Sequence, residues 1–414
     1  MSWTATRLKH LCVDAGQYGL NISAQDYTPS GHRLIRTSDI DENGGLRPRE
    51  NAVFVDTSLD GRHELKSGDL LLSRSGTLGR AMLLRDLEEP STYAGYLVRF
   101  RPRPSTEPRF MAYLAASHTF QAAIEADAVT STIQNFNAER YANIAVSLPS
   151  LDEQRRIADF LDAETARIDQ LISLRSLQLG QLDERETSWR SEIFLGSESG
   201  VWVRVKHLLR AKPRYGVLVP ELVDEGVPFI RVNNLAGSST RDSLASIPQK
   251  LSDQYPRTVT VLGDVLLSVV GTLGKVAVVT EDLVGANTAR AVAVLRLDPK
   301  HEPSLFAAWI GTAGFRQQAL LATGADSAQP TLGMEDLANF SVRWPVDESE
   351  QKKMAAAAMD RQIEASETIN ALGRQLALLA ERRQALITAA VTGQVDVTTA
   401  RGADMSGLSP AGGV

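Results

Sequence analysis

The chain has 414 residues, with 44 lysines and arginines against 50 aspartates and glutamates, and a formal net charge of −6. This length exceeds what one hydrophobic core usually organises, so we expect two or three domains, and the charge balance neither requires nor excludes a nucleic-acid partner. No apolar run is long enough to cross a bilayer, the N-terminus is too charged for a signal peptide, and the single cysteine, Cys12, excludes a disulfide framework. We therefore expect a cytoplasmic protein in which Cys12 is a small buried residue.

Residues 1–150 consist of short apolar stretches interrupted by Gly, Pro, Asn and Ser, as at residues 52–55 and 70–72. This pattern is typical of short β-strands joined by turns. Residues 108–126, like residues 303–322 later in the chain, are rich in alanine, which predicts helical stretches inside a β-rich domain. The fold class of this part is therefore predicted to be α+β.

Residues 151–196 are predicted to form one long helix, because proline is absent and apolar residues recur at alternating three- and four-residue steps. These steps define a heptad seam, the pattern of a coiled coil. Its apolar positions are Leu161, Ile168, Ile172, Leu179, Leu182, Trp189 and Ile193, and its polar interruptions are Thr165, Arg175 and Glu186. A helix of this length would span about 60 Å.

Residues 197–345 repeat the β-rich domain, and residues 346–396 repeat the long helix. The segment that starts at Gly68, GDLLLSRSGTLGR, matches the segment that starts at Gly263, GDVLLSVVGTLGK, at nine of thirteen positions with an offset of 195. Other short matches keep offsets of 195 to 197. A nearly constant offset over the whole length indicates a tandem duplication. The remaining residues, 397–414, are predicted to be a disordered tail.

The second long helix carries a heptad seam of its own. Its apolar positions are Ala358, Ala365, Ile369, Leu372, Leu376, Leu379, Leu386 and Ala390, and Gln362 and Arg383 interrupt it. Two matched seams in one chain predict an antiparallel coiled coil that relates the two halves by a pseudo-two-fold axis. The alternative is that each helix packs only against its own domain. Gly196 and Gly393 stand where C-terminal caps are expected.

Motifs for catalysis are incomplete or absent. The run from Gly271 to Lys275 resembles part of a phosphate-binding loop, but Val269 and Val276 stand where glycine and a hydroxyl residue are required. A buried strand running into a tight glycine turn explains this repeated segment better. The six histidines show no metal-ligand spacing, and no hydrolase, dinucleotide-binding or methyltransferase signature is present. The sequence therefore favours a non-catalytic protein.

The helices and turns also carry a family likeness. Residues 379–396, LAERRQALITAAVTGQVD, closely resemble the signature that ends the second helix of specificity subunits of type I restriction-modification systems. Residues 148–157, LPSLDEQRRI, are similar to the entry of that family's first helical region, and the repeated glycine turn resembles an element of its target-recognition domains. The likeness covers nearly the whole chain. One departure is the end of the first helix, residues 189–196, which lacks the Ala-Val-Thr-Gly of the second copy.

The resemblance implies that each β-rich domain is a target-recognition domain that reads one half of a split, asymmetric site in double-stranded DNA. The two helices would set the distance between the halves and dock two methyltransferase subunits, with restriction and motor subunits completing the complex. S-adenosylmethionine, ATP and Mg²⁺ would belong to those partners. The resemblance thus implies a non-catalytic subunit with no cofactor or metal of its own.

Side chains suited to DNA contact lie in the polar stretches of both domains, since arginine favours guanine, asparagine and glutamine favour adenine, and serine and threonine serve bases or phosphates. In the first domain the candidates are Arg36, Thr37, Ser38, Arg74, Ser75, Thr77, Arg80, Thr130, Ser131, Gln134 and Asn135. In the second they are Arg231, Asn233, Asn234, Ser268, Thr272, Lys275, Asn287, Arg290 and Gln329. The alternative for each is a turn former or a solvated surface residue. Arg36 and Arg231 follow apolar strands in both copies and would equally serve as shared phosphate anchors.

Two other classes of function stay open at this point. One is a stand-alone nuclease or methyltransferase with an unfamiliar site, which would modify DNA unaided. The other is a coiled-coil scaffold whose globular modules bind protein or carbohydrate rather than DNA.

Overall fold

The computed structural model describes residues 3–41, 44–129, 135–235, 240–324 and 329–397. The chain divides into two compact units, which we call unit 1 (Met1–Arg175 with Arg374–Val414) and unit 2 (Ser176–Gly373). Each unit contains one β-rich domain and part of each of the two long helices. The tail predicted at 397–414 lies outside the described residues beyond Val397. Among the described helices, none has the length and apolar character that a membrane crossing requires.

The described strands of unit 1 form three small sheets. They are β1 (Thr4–Arg7), β2 (Gln17–Tyr18), β3 (His32–Ile35), β4 (Val53–Val55), β5 (Leu70–Ser73), β6 (Ala81–Leu83), β7 (Ser91–Tyr93), β8 (Leu97–Phe100) and β9 (Ala145–Leu148). One sheet has the antiparallel order β2-β8-β5-β6, a second has the order β4-β3-β7 with β3 parallel to β7, and β1 pairs with β9.

The strands of unit 2 repeat this topology. They are β10 (Gly200–Arg204), β11 (Arg214–Tyr215), β12 (Val227–Ile230), β13 (Ala245–Ile247), β14 (Val265–Ser268), β15 (Val276–Val278), β16 (Asn287–Thr288), β17 (Val292–Leu295) and β18 (Ser341–Pro345). The sheet orders are β11-β17-β14-β15, β13-β12-β16 and β10-β18, and β12 is parallel to β16 as β3 is to β7. The duplication predicted from the sequence is therefore a duplication of fold.

Strand β5 is buried on both faces, which explains its uninterrupted apolar sequence. Leu70 and Leu72 belong to a core shared with Phe110, whereas Leu71 belongs to a second core with Tyr93. The strand predicted at this position is confirmed, and the strand predicted at its counterpart β14 is confirmed as well.

Apart from two short helices, Leu8–Leu11 and Gln249–Ser252, the helices of the two domains also correspond. In unit 1 they are α1 (Leu8–Leu11), α2 (Pro108–Ala116), α3 (His118–Val129) and α4 (Ala138–Asn143), followed by α5 (Leu151–Leu195). In unit 2 they are α6 (Gln249–Ser252), α7 (Pro303–Ile310), α8 (Ala313–Thr323) and α9 (Met334–Asn339), followed by α10 (Glu348–Val391). Helices α5 and α10 are the two long helices, and each contributes residues to both units.

Each helical stretch predicted inside a domain is in fact two helices. The break falls at Ser117 in unit 1, where the backbone is extended and the hydroxyl accepts the N–H of Phe120 (3.4 Å). In unit 2 the break falls at Thr312, whose hydroxyl accepts the N–H of Phe315 (3.2 Å). Serine and threonine at these positions start a new helix by capping its first free N–H groups, which alanine-rich composition alone conceals.

The start of each long helix is held to its own domain by a glutamine. Gln154 accepts the N–H of Glu107 (2.9 Å) and donates to the carbonyl of Pro149 (2.9 Å). Gln351 accepts the N–H of Glu302 (2.9 Å) and donates to the carbonyl of Pro345 (3.0 Å). Both glutamines are buried, so each amide satisfies backbone groups that would otherwise lack a partner.

The long helices pair antiparallel, as predicted. Within unit 1 the first half of α5 packs on the second half of α10, and Arg383 donates to the carboxylate of Asp169 (2.8 Å). Within unit 2 the second half of α5 packs on the first half of α10, and Arg361 donates to the carboxylate of Glu186 (3.1 Å). The alternative, in which each helix packs only against its own domain, is wrong.

Burial along α5 follows the predicted heptad seam, including two of its polar interruptions. Thr165 and Glu186 are only 4% and 5% exposed. The prediction fails at one interruption in α10, because Gln362 is exposed and the neighbouring Arg361 enters the seam to bind Glu186. A charged pair replaces an apolar contact there.

Two smaller predictions have different outcomes. Gly393 follows α10 with a φ of 73°, the left-handed conformation expected of a C-terminal cap. Gly196 follows α5 without a positive φ, since its N–H continues the helical pattern by donating to the carbonyl of Glu192 (2.8 Å).

Cys12 is fully buried, and burial raises the pKa of its thiol to about 12. It is therefore a packing residue, as predicted.

Candidate nucleic-acid interface

Several strand ends meet at one surface of unit 1, which we call the strand-end surface. It brings together residues just before or after β2, β3, β5, β8 and α4. Four hydrogen bonds from a backbone N–H to a backbone carbonyl join them. They run from Ala94 to Ile35 (2.9 Å), Gly95 to Leu20 (2.8 Å), Arg74 to Tyr96 (2.9 Å) and Phe136 to Arg74 (2.9 Å). Because these bonds involve only the backbone, the side chains at this surface are free to differ without altering the framework.

Unit 2 has a strand-end surface with the same framework. Its four equivalent hydrogen bonds again join a backbone N–H to a backbone carbonyl. They run from Ala289 to Ile230 (2.9 Å), Arg290 to Val217 (2.9 Å), Val269 to Ala291 (2.9 Å) and Leu332 to Val269 (2.8 Å). The side chains carried by this framework are different in the two units. Arg74 and Tyr96 in unit 1 correspond to Val269 and Ala291 in unit 2, whereas Gly95 corresponds to Arg290.

Arg74 organises the polar side chains of the surface in unit 1. Its Nε donates to Oδ1 of Asn135 (3.1 Å), its Nη1 donates to the carbonyl of Gly95 (3.4 Å), and its guanidinium lies 4.7 Å from the ring centre of Tyr18. Beside it, Tyr96 is 67% exposed. This arrangement offers a cation, an amide and an aromatic ring to a ligand, the groups that contact bases and phosphates.

Arg36 is the candidate whose side chain is most firmly held. Its Nη2 and Nε donate to the carboxylate of Asp39 (2.8 and 3.0 Å), and Asp39 also accepts the N–H of Arg36 (2.8 Å). The hydrogen bonds that its guanidinium donates to Asp39 raise the pKa of Arg36 above its already high usual value. Arg36 thus braces the short turn that follows β3.

Arg231, the equivalent residue in unit 2, has an exposed side chain. The residue that corresponds to Asp39 is Asn234, whose Oδ1 keeps the bond to the backbone N–H of Arg231 (2.9 Å). A neutral amide cannot form the ion pair that the carboxylate forms. The turn is therefore conserved while the guanidinium of Arg231 is presented to solvent, so the two arginines are not equivalent anchors.

The repeated glycine turns follow β5 and β14. Gly76 and Gly271 have φ values of 72° and 71°, and a Cβ at either would meet no atom within 4 Å, so backbone conformation alone requires glycine there. Thr77 and Thr272, next in the chain, are exposed. Both turns present an open, convex backbone flanked by a hydroxyl.

Ser268 and Asn287 are corrected by the structure, because both are fully buried. The Ser268 hydroxyl accepts the N–H of Lys275 (2.8 Å) and closes the glycine turn. The Asn287 amide accepts from the Thr258 hydroxyl (2.7 Å) and donates to the Ser252 hydroxyl (3.0 Å). These residues hold the loops together and are not placed for contact with DNA.

The other candidates are placed as follows. Ser38, Asn233, Arg290 and Gln329 are exposed, and Thr37, Ser75 and Lys275 are half-buried. Arg80 is half-buried and donates to the carbonyl of Ile40 (3.0 Å), on the side of the glycine turn away from Tyr96. Thr130, Ser131 and Gln134 lie outside the described residues.

Sequence reasoning missed two aromatic residues of the site and a basic segment. Tyr18 matches Tyr215 at an offset of 197, a signal that the duplication contained. Tyr96 has no such counterpart, and its exposure follows only from the fold. The segment 210–214 carries three basic residues in five, which a count of charge over the whole domain conceals.

The described residues contain no cluster suited to a metal ion. No group of three or more histidine, cysteine, aspartate or glutamate side chains in that part of the chain is arranged to hold a metal ion. The buried carboxylates Asp69 and Asp264 are each paired with an arginine, Arg101 and Arg296, at 2.7 Å. These pairs join neighbouring strands in both units and have a structural role.

Part of the chain is similar to known proteins. Residues 34–177 match the model of the type I restriction modification DNA specificity domain. The chain is 25% identical over 267 residues to the type I restriction enzyme EcoBI specificity subunit of Escherichia coli, a match that covers 56% of this chain and 55% of that relative. The aligned part thus spans about half the length of the curated relative.

The fold is shared with a solved structure described as the structural basis of complex assembly and conformational transition of the type I R-M system. The two chains have a TM-score of 0.69 at 19% identity, and the match covers 95% of this chain and 98% of the other. The α+β fold with two β-rich domains and two long helices is therefore the one predicted from the sequence. In sequence, this chain is therefore similar to the specificity subunits of type I restriction-modification systems.

Proposed function

We propose that this protein reads a bipartite, asymmetric sequence in double-stranded DNA, each β-rich domain contacting one half of the site. The observation that carries the proposal is the pair of strand-end surfaces, which share four backbone hydrogen bonds and differ in the side chains they present. A duplicated framework with different exposed side chains is what recognition of two different half-sites requires, because base identity is read by side chains in the grooves.

The proposed boundaries follow the duplication. Residues 1–150 and 197–345 are the two target-recognition domains, and residues 151–196 and 346–396 are the helices that separate them. Residues 397–414 are proposed to be a disordered tail. In this arrangement the length of the helices fixes the number of unread base pairs between the half-sites.

The proposed DNA contacts are those candidates that reach the surface or line its edge. In unit 1 they are Arg36, Thr37, Ser38, Arg74, Ser75, Thr77, Arg80 and Asn135, with Tyr96 added as an exposed stacking residue. In unit 2 they are Arg231, Asn233, Asn234, Thr272, Lys275, Arg290 and Gln329. Arg231 and Arg290 are the strongest, because both guanidinium groups are exposed and Ala289, adjacent to Arg290, bonds to Ile230, adjacent to Arg231.

Partner subunits are proposed to dock on the long helices. Large apolar side chains are exposed on the helix pair of each unit, although apolar side chains are normally withdrawn from water. They are Leu171, Leu174 and Leu378 in unit 1 and Leu177, Met359 and Ile363 in unit 2. Two such surfaces suit two methyltransferase subunits, and restriction and motor subunits would join that complex in the cytoplasm.

Like the specificity subunits that it resembles, this chain is proposed to be a non-catalytic subunit. S-adenosylmethionine, ATP and Mg²⁺ are accordingly proposed to act in the partner subunits. This chain would contribute sequence recognition and placement alone.

The test is genome-wide mapping of methylated adenine in cells that express the full chain together with a type I methyltransferase subunit from the same organism. The proposal predicts methylation at one bipartite sequence, which disappears when this chain is omitted. Absence of any site-specific methylation would favour a scaffold with modules that do not bind DNA. Methylation or cleavage of DNA by the purified chain alone would show a stand-alone enzyme and overturn the proposal.

A further inference from the structure

A strongly basic groove crosses the surface of unit 2 beside its strand-end surface. It consists of two adjoining surface cavities of 740 and 690 Å³ that share Pro213 and Met334 in their walls. The first is lined by Lys206, His207, Arg210 and Lys212, and the second by Arg214, Tyr215, Tyr255 and Arg257. We call this feature the basic groove.

The positive charge of the basic groove is not balanced by acidic neighbours. Arg210, Lys212, Arg214 and Arg257 are exposed, and none of them forms an ion pair with a carboxylate of the described residues. Glu335 is the one acidic residue among those lining the two cavities. Exposed cations gathered on a concave surface attract a polyanion, and they stay hydrated until the polyanion binds.

The equivalent segment of unit 1 has the opposite charge. The backbone N–H of Val13 donates to the carbonyl of Arg101 (2.8 Å), and in unit 2 the backbone N–H of Arg210 donates to the carbonyl of Arg296 (2.9 Å). These matching bonds show that residues 13–17 correspond to residues 210–214. Residues 13–17 contain one aspartate and no basic residue, a net charge of −1, whereas residues 210–214 contain three basic residues, a net charge of +3.

The single acid of that segment is also neutralised within unit 1. Asp14 accepts a hydrogen bond from Arg99 (2.7 Å), and the residue of unit 2 that corresponds to Arg99 is Val294. Unit 1 therefore forms an internal ion pair in the segment where unit 2 exposes three cations to solvent. This difference is not explained by the shared framework.

The basic groove leads directly to the strand-end surface of the same unit. Tyr215 follows Arg214 and lines the groove, and its hydroxyl donates to the carbonyl of Leu332 (2.8 Å). Leu332 in turn donates its N–H to Val269, one of the four bonds of the strand-end framework (2.8 Å). A ligand lying on the strand-end surface can therefore continue into the groove.

We propose that the basic groove binds the phosphate backbone of duplex DNA and that the second domain supplies an electrostatic anchor that the first domain lacks. This inference rests on the proposed function, and it adds that the two half-sites are held by unequal numbers of phosphate contacts. Arg210, Lys212 and Arg214 neutralise phosphates flanking the second half-site. They contribute affinity without base preference, because phosphates are the same in every sequence.

The test is the salt dependence of binding to a random-sequence duplex of 40 base pairs by the full chain. Removing one cation that neutralises a phosphate lowers the slope of log K against log salt by about 0.9, so the triple variant R210Q/K212Q/R214Q should bind with a slope smaller by about 2 to 3. The matched control is K300Q/K352Q/K353Q, which removes the same charge from exposed lysines of unit 2 outside the groove. The control should keep a slope within about 1 of the unaltered chain.

Three outcomes are distinguishable, provided that both variants unfold at the same temperature as the unaltered chain. A slope lowered only in the groove variant supports the inference. Equal slopes for groove variant and control, with DNA binding by the unaltered chain intact, overturn the groove and leave the proposed function standing. Failure of the unaltered chain to bind duplex DNA and to direct methylation overturns both.

Discussion

The turns after β3 and β12 show how one framework serves two surfaces. In unit 1 the carboxylate of Asp39 holds both the backbone N–H and the guanidinium of Arg36. In unit 2 Asn234 holds the backbone N–H of Arg231 in the same way and leaves the guanidinium exposed. A change from carboxylate to amide therefore keeps the turn and changes what the turn presents.

Each unit keeps one buried ion pair at the same position. The pairs Asp69 with Arg101 and Asp264 with Arg296 have matching geometry, since each carboxylate is 1% exposed or less and is bound by two arginine nitrogens at 2.7 to 2.8 Å. The comparison teaches that stability and recognition are carried by separate residues. Four sets of substitutions test this separation, from the largest expected effect to the smallest.

Removing the buried carboxylate should damage either unit equally. We expect D69A and D264A each to lower the free energy of unfolding by about 3 kcal/mol, because an arginine is left without its partner. Urea unfolding measures this, with circular dichroism following the whole chain and tryptophan fluorescence reporting mainly on unit 2, which holds four of the five tryptophans. D60A is the control, since Asp60 pairs with Arg62 at the surface, and little change is expected. A large difference between the two buried sites would contradict the equivalence.

The glycine turns should respond unequally to alanine. A Cβ at Gly79 would lie 2.4 Å from the Gln121 side chain and 2.8 Å from that of Ile124, whereas at Gly274 the nearest atom is 4.0 Å away on Phe315. Both glycines have positive φ, so G274A should cost about 1 kcal/mol of stability and G79A about 2 kcal/mol or more. Thermal unfolding of the two variants gives the comparison. Equal losses would show that backbone conformation alone requires these glycines.

Exchanging the amide for a carboxylate should convert one turn into the other. N234D is expected to draw the guanidinium of Arg231 into an ion pair like that of Arg36 with Asp39, weakening DNA binding by about 1 kcal/mol, or roughly fivefold. N233D adds the same charge at the neighbouring exposed residue without the capping position. Binding to the methylated sequence measures both variants. If N233D weakens binding as much as N234D, general charge repulsion rather than capture of Arg231 is responsible.

The smallest effect concerns the loop that joins α5 to β10. Burial alone would raise the pKa of Glu350, but hydrogen bonds from Ser199, Ser197 and two backbone N–H groups hold it at about 2. Because folding lowers the pKa of this carboxyl, the ionised carboxylate stabilises the protein at pH values above the usual carboxyl pKa, near 4.5. This stabilisation is lost as the pH falls toward 2.

Between pH 4.5 and 2, the free energy of unfolding should therefore fall less in E350Q than in the unaltered chain. The difference should be less than about 1 kcal/mol, because the carboxylate is partly solvated. Glu153, the matching residue of the first copy, accepts a single side-chain hydrogen bond from Trp3 (3.2 Å). E153Q is the matched control. Acid unfolding curves that change equally in the two variants would contradict this assignment.

Much of the framework could be predicted from the sequence because its signals are local or repeated. Strands β5 and β14 are apolar throughout since both faces are buried, and the glycine turns after them recur at a constant offset. The heptad seams predicted the antiparallel helix pair, because three- and four-residue spacing already fixes which face is apolar.

The candidate site was less predictable because it depends on contacts between distant residues. The exposure of Tyr96 and the burial of Asn287 follow from strand pairing across the domain, which no local pattern reveals. The ion pair of Arg36 depends on the geometry of one short turn. Sequence patterns therefore predict strands and turns better than they predict which side chains face solvent.

The central claim is that two independent recognition domains stand on one repeated framework. It is tested most directly by replacing residues 1–150 with those of a relative and mapping methylated adenine in cells that contain the partner methyltransferase. The account predicts that one half of the bipartite sequence changes while the other half and the spacer between them stay the same. A change in both halves, or in neither, would contradict it.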